Sequence, residues 1–434
     1  MRSIPTAVVL TVTACVGSIL AQTPQPARIT AIRASAYVDV NAGVTRPDAV
    51  VLVQGDRITS VGSGTAIPAA ADVIDLKGLT LLPGLIDAHT HLLQNYEGAV
   101  GGDEPNMLQT VAQMSTAKRA LLGAATGRDD LLAGITTVRD LGNSGYNGDV
   151  ALRDAIEAGW VDGPRMQVST RALSATGGQF GGLTPEAQAL VAQEYAVVNG
   201  ADDARRAVRQ AMYDGATVIK VIVNTDPRVL TLEEMQAIVA EAHAHHRPVA
   251  AHAIGDDATR IAAQAGVNSI EHGYTIADDA IALMAKKGIF LVPTDYPADF
   301  YMALTRGPVT DAGRQSTAAL VARSRSRLQR AVKAGVRIAF GSDEYYDVPG
   351  KTRGEASLLP LQAYADDGMS GLDIVRAATA NAADLLGWSN RVGRLDTGLL
   401  ADIVGVEGDP LKDPRVLQHA RFVMKGGRIV KRLP

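Results

Sequence analysis

The pattern of apolar and polar positions changes character twice along the chain. Over residues 27–82 apolar positions alternate with polar ones, through Ile32, Ala34, Ala36, Val38 and Val40, then residues 50–53, then 57–61. A period of two marks strands with one buried face. Asn41-Ala42-Gly43, Gln54-Gly55-Asp56 and Gly62-Ser63-Gly64 punctuate these runs as turns. From residue 80 onward, short apolar runs alternate with helical stretches: 85–89, 135–139, 166–170, 218–223, 249–252, 269–272, 289–293 and 338–342. Helical periodicity falls between most of them, for example over 231–244, 256–264 and 278–287. After a last helix at 371–386 the strand pattern returns at 401–406 and 421–424, and a Gly426-Gly427 turn leads to Ile429-Val430.

Eight strand-then-helix units predict an α/β protein with a closed parallel (β/α)8 barrel, spanning residues 83–388. An open doubly wound sheet is the competing arrangement, but no glycine-rich dinucleotide fingerprint follows the first strand. The strand-rich start and end predict one small β-sandwich domain assembled from residues 22–82 and 389–434.

Composition adds exclusions. The chain has 434 residues, 47% hydrophobic and 20% charged, the profile of a globular protein. A net charge of -4 and 4% aromatics offer little to nucleic acid. The one cysteine, Cys15, excludes a disulfide framework and a cysteine-based zinc site. Arg2 followed by an apolar stretch that ends at Ala21 reads as a signal peptide over residues 1–21, too short for a membrane span. Val12-Thr13-Ala14-Cys15 offers the alternative of lipoprotein processing at Cys15. Both routes place the protein outside the cytoplasm, periplasmic or secreted, with no integral membrane span. The expected partner is a small-molecule substrate, and a homo-oligomer is expected.

The candidate chemistry sits at strand ends. His89 and His91 close the first barrel run, and residues i and i+2 of a strand share a face. His-x-His by itself is a weak signal. Here His252 and His272 also end strands, and Asp343 follows the eighth. All five lie on the face where barrels place their chemistry, and four histidines with a carboxylate suit zinc or a similar divalent metal. Lys220 stands inside the apolar run 217–223, where a buried ammonium is costly. It could reach the barrel mouth or pair with an acid. Alternatively its neutral amine carries carbon dioxide as a carbamate whose two oxygens bridge two metals.

These residues, with the stretches 83–91, 134–140, 219–221, 251–253, 270–273, 341–343 and 398–404, resemble metal-dependent hydrolases of the amidohydrolase superfamily over essentially the whole mature chain. The likeness is greatest to its imidazolonepropionase-like and Xaa-Pro-dipeptidase-like group, which includes ochratoxin-type amide hydrolases. The resemblance implies that His89, His91 and Asp343 bind one metal, that His252 and His272 bind a second, and that carboxylated Lys220 bridges them. The metals would hold a hydroxide; Asp343 would take its proton and pass it to the leaving nitrogen. The implied reaction is hydrolysis of an amide in a dipeptide or N-acyl amino acid, with a cyclic amide or lactone as the alternative. Many relatives carry Thr-Gly-Gly-His where this chain reads Thr176-Gly177-Gly178-Gln179, so that substrate contact differs. Imidazolonepropionases proper lack the bridging lysine, which argues for the two-metal, peptide-like branch.

Substrate contacts are expected from loops after the strands: Gln179, Tyr274, Tyr296, Tyr345, Tyr346 and Arg353, the arginine as a clamp for a substrate carboxylate. His243, His245 and His246 fit a helix C-terminus, and His419 a surface position. The run Arg323, Arg325, Arg327, Arg330 and Lys333 winds around a helix and is expected to face solvent, while Gln193, Glu194 and Tyr195 carry no expected role.

Overall fold

The computed structural model describes residues 28–96, 103–305 and 307–433. The expected signal peptide and Cys15 lie outside the described residues. The two chain ends meet in one seven-stranded sheet, in the order Arg428–Arg432, Phe422–Lys425, Ile403–Glu407, Asp72–Pro83, Ile29–Asp39, Val44–Gln54, Arg57–Ser63. The sheet is continuous and folds back on itself: Ile58 N–H bonds to Leu399 O (2.9 Å) and Ala401 N–H to Asp56 O (2.8 Å). Apolar residues from both halves, including Ile32, Val51, Ile58, Ile403, Phe422 and Met424, therefore share a single buried layer. The Gly426-Gly427 hairpin has both φ angles positive, at 55° and 75°. That is the two-residue turn whose twist suits antiparallel strands. Any side chain at Gly427 would strike Gly55 O, 2.0 Å from a Cβ placed there.

The barrel runs correspond to Leu85–Thr90, Ile135–Asp140, Arg165–Val168, Ile219–Ile222, Val249–Ala253, Ser269–His272 and Phe290–Val292. With Ala172–Ser174 and Tyr195–Val197 they form a three-stranded and a six-stranded parallel set. Backbone hydrogen bonds join these sets into a ring. Thr217 N–H donates to Val168 O (2.8 Å) on one side, and Ala339 N–H to Leu291 O (3.0 Å) and Ala88 N–H to Phe340 O (2.8 Å) on the other. The eighth run is thus the closing segment, although only Ile338 pairs as a formal bridge. Gly341 permits the closure, because a Cβ there would lie 2.4 Å from Val292 and 2.7 Å from the His89 Cβ. The third run is interrupted. Thr170 has φ 58°, and the chain resumes as Ala172–Ser174 beside Ile219–Ile222.

The helices between the strands follow the expected spans closely. Leu232–Ala244 carries a capping box from Thr231 and Glu234. The expected single helix at 371–386 is two, Gly371–Ala377 and Ala380–Leu385. The break has a tertiary cause: the carbonyls of Ala377 and Ala378 accept from Phe340 (2.9 Å) and Ile86 (2.8 Å), so they are turned toward the barrel rather than along a helix. No helix among the described residues is long and apolar enough to cross a membrane.

Candidate metal centre and active site

Alternation alone cannot bring every candidate to one point, and the strand ends show how the backbone completes the job. Five non-glycine residues at or just beyond barrel strands have positive φ: Asn143, Thr170, His272, Thr294 and Asp343, between 54° and 66°. Such backbone is unfavourable for a side chain and is held only where the surroundings over-determine it. At His272 and Asp343 it re-aims the side chains into the barrel mouth. His89, His91, Lys220, His252, His272 and Asp343 all line one cavity of about 140 Å³.

The donors are closely set. Asp343 Oδ1 lies 3.2 Å from His91 Nε2 and 3.4 Å from His89 Nε2, and Oδ2 lies 3.6 Å from His272 Nδ1. His89, His91 and Asp343 form a group with potential ligand atoms within 4.8 Å of one another. The rings of His89 and His272 are 5.0 Å apart and those of His252 and His272 4.7 Å. Lys220 Nζ approaches His89 Nε2 at 3.2 Å.

Three of the imidazoles are held through Nδ1: His89 to Glu271 Oε2 (2.7 Å), His91 to Gly142 O (2.8 Å), His272 to Thr294 Oγ1 (2.9 Å). This leaves Nε2 of His89 and His91 directed into the cluster toward Asp343 Oδ1, the arrangement that orients metal-ligating histidine. Burial, with the neighbouring Lys220 charge, holds His89 well below the ordinary imidazole range and His252 at about 3. Burial and the surrounding histidines do the same for His272. These rings are neutral at pH 7, as ligation requires. Burial also lowers the Lys220 amine to about 8. Asp343 goes the other way: burial alone would raise its carboxyl, but His89 and His91 outweigh it and keep the group below the usual carboxylate range. Neutral imidazoles, an ionised carboxylate and a partly neutral amine together fit one or two divalent cations.

Glu271 and Arg139 are the functional residues that sequence reasoning missed. Both are fully buried. The Arg139 guanidinium donates to Ala88 O (2.6 Å), Ser269 Oγ (3.1 Å) and Glu271 Oε1 (2.9 Å). The chain Arg139–Glu271–His89 thus ties three strands to one candidate ligand. A signal was present, since Ser269 and Glu271 are polar residues two apart in a short barrel strand and so share one face of it.

Of the expected substrate contacts, Gln179, Tyr274 and Tyr345 line the cavity, joined by Gln94, Tyr96, Met107, Asn143 and Ile254. Tyr345 sits edge-on to His91, with ring centres 5.7 Å apart. Arg353 and Tyr296 do not line it. The buried Arg353 guanidinium donates to Gln94 O (3.0 Å), His91 O (3.2 Å) and Glu344 O. It braces the loop after the first barrel strand and has no face for a substrate carboxylate. Tyr296 stacks on Phe300 at 3.7 Å and donates to Glu344 Oε2 (2.9 Å). Tyr346 is likewise in the aromatic layer behind the wall.

Two other expectations change. Arg327 is buried rather than solvated; it bonds to Asp295 and to the carbonyl of His272, so the helix Asp311–Lys333 braces a candidate ligand from outside. Glu194 pairs with buried Arg119 (2.5 Å), and Tyr195 OH accepts from Asn143 (3.1 Å) and donates to Gln179 Oε1 (3.0 Å). His243, by contrast, is exposed at its helix end and bonds to Asn268.

The sequence profile of the amidohydrolase family matches residues 80–430. The chain is 31% identical over 441 aligned residues to the ochratoxinase of Aspergillus niger, covering 93% of this chain and 87% of that protein. It is 27% identical to an imidazolonepropionase of Sphingopyxis alaskensis, over 84% of this chain and 87% of the other. Among solved structures, A. niger ochratoxinase superposes with a TM-score of 0.79 at 29% identity, covering 94% of this chain and 96% of that one. A Xaa-Pro dipeptidase with bound methionine in its active site gives 0.77 at 28% identity, over 92% and 99% of the two chains.

Proposed function

The chain belongs to the amidohydrolase family and is a hydrolase of carbon–nitrogen bonds; we propose that it works with two divalent ions, of which zinc is the expected identity, on the amide of a dipeptide or N-acyl amino acid. The observation that carries this reading is the convergence of six donors on one cavity, with three histidines each held through Nδ1. In it, His89, His91 and Asp343 would hold one ion, His252 and His272 a second, with Lys220 a ligand shared between them. Among the described residues no carboxylate pairs with Lys220, and its amine is lowered to about 8. The nitrogen lone pair can therefore add to carbon dioxide, one proton leaving to water, to give the anionic carbamate. Bound divalent ions supply an activated water and polarise the scissile carbonyl.

The chain's own residues do the rest. Asp343, ionised in this environment, takes a proton from the attacking water and returns it to the leaving nitrogen. The aromatic and amide side chains of the wall orient the substrate. The inner cavity shares Met107, Gln179, His252 and Ile254 with an outer one of about 610 Å³. That two-chamber shape favours an extended amide over the cyclic amide or lactone of the alternative reading. Export, by signal peptide or lipoprotein processing, is proposed on the sequence of residues 1–21. The boundaries at residues 82 and 389 and a homo-oligomeric state are proposed on the same basis.

The test is a hydrolysis screen of metal-loaded protein against dipeptides, N-acyl amino acids, cyclic amides and lactones, with metal content measured beside it. Two ions per chain and turnover of the open amides support the proposal. Exclusive turnover of the cyclic compounds, or a fully active enzyme with one ion, overturns it.

A further inference from the structure

Gln94 is 3% exposed and its backbone is pinned at both ends. Its N–H donates to His91 O (3.2 Å), and its carbonyl accepts from Arg353 (3.0 Å). Its side chain lines the inner cavity beside His89, His91 and Asp343, yet Nε2 has no hydrogen-bond partner. A buried amide N–H is normally satisfied, because leaving it unpaired costs the whole of its desolvation. The other amides of the wall are engaged: Asn143 donates to Tyr195 OH, and Gln179 accepts from it. No arginine, and no lysine besides Lys220, lines this cavity among the described residues. A firmly held side chain thus presents one free donor, three residues beyond a candidate metal ligand.

We propose that Gln94 contacts the substrate and sets specificity, its amide N–H donating to an oxygen acceptor on the part of the substrate that lies against His91. This rests on the reading of the cavity as an amide-hydrolysing site. The acceptor is a carboxylate or carbonyl oxygen. A neutral amide donor serves both, whereas a guanidinium would strongly prefer the carboxylate.

The experiment compares wild type, Gln94→Met and Gln94→Glu on an N-acyl amino acid that the wild type cleaves and on the same compound with its carboxylate converted to the primary amide. Gln94→Met is expected to raise KM about tenfold, the worth of one neutral hydrogen bond. Its kcat, metal content and unfolding temperature should stay near wild type, because a uniformly made binding contact was removed. Gln94→Glu keeps the shape and reverses the donor, and carries the same test should the methionine variant fold poorly. If the acceptor is the carboxylate, Gln94→Glu loses far more on the acid than on its amide; if it is a carbonyl, both fall alike. A Gln94→Met enzyme with wild-type kcat/KM overturns the proposal, as does a loss that lies wholly in kcat, metal content or folding. A wild type that cleaves no amide overturns the underlying reading of the site, and this inference with it.

Discussion

Glu271→Gln is the sharpest probe of how the centre is held. Glu271 accepts from His89 (2.7 Å), from Arg139 (2.9 Å) and from Ser269, with no part of the residue exposed. Glutamine offers one oxygen, so it can serve His89 or Arg139 but not both, and its NH2 must face the other donor. Removing one partner of a buried ion pair costs about 3–5 kcal/mol. Arg139 keeps its bond to Ala88 O, which places the expected loss near the lower end, about 3 kcal/mol. Affinity for the divalent ion should fall about 10–100-fold as well, because the His89 ring loses the acceptor that orients it. The assay is urea unfolding of wild type, Glu271→Gln, Arg139→Met and the double variant, with and without zinc, beside metal content by mass spectrometry. Because the two residues form one network, the double variant should be less destabilised than the sum, with a coupling of about 1–3 kcal/mol. Additive losses with unchanged zinc affinity would refute the reasoning.

Lys220→Ala should empty at least one metal position and abolish turnover, and a short carboxylate should partly restore it; unchanged metal content and rate would dismiss the carbamate. Asp343→Asn should stay folded and lose about 10²–10⁴ in kcat, the usual worth of proton transfer by a positioned group; a fully metallated variant within about tenfold of wild type would remove Asp343 from that role. Asp149, buried but accepting from Thr170 N–H (2.8 Å) and Val150 N–H (2.9 Å), is raised from 3.8 to about 7, by burial first and then by Asp140. Its folded form holds a proton that the unfolded chain releases earlier, so its contribution to stability is present below pH 3.8 and is lost as pH rises through about 7. Asp149→Asn should flatten that decline in unfolding temperature, and an unaltered pH slope would show that burial does not govern this carboxyl.

The chain's own sequence determined the periodicity, and periodicity carried a long way. Alternation over the first strands, the β-then-α rhythm and the capping residues around Thr231 are local facts, readable one segment at a time. The candidate ligands were equally legible, because histidine is scarce and each stood at a strand end beside Lys220 in an apolar run. Tertiary structure decided what local pattern cannot encode. The helix at 371–386 breaks because carbonyls of Ala377 and Ala378 are drawn off by strands nearly 40 and 300 residues away. Arg353 and Arg327 look like free cations in sequence. Whether a guanidinium meets solvent, a substrate or a ring of carbonyls depends on which loops close over it, and here both were enclosed. The Arg139–Glu271–His89 chain links three strands whose neighbours in space are distant in sequence, so only the closed barrel brings them into register. Gln94 stands out for the same reason: its missing hydrogen bond becomes visible only once the fold has placed its neighbours around it.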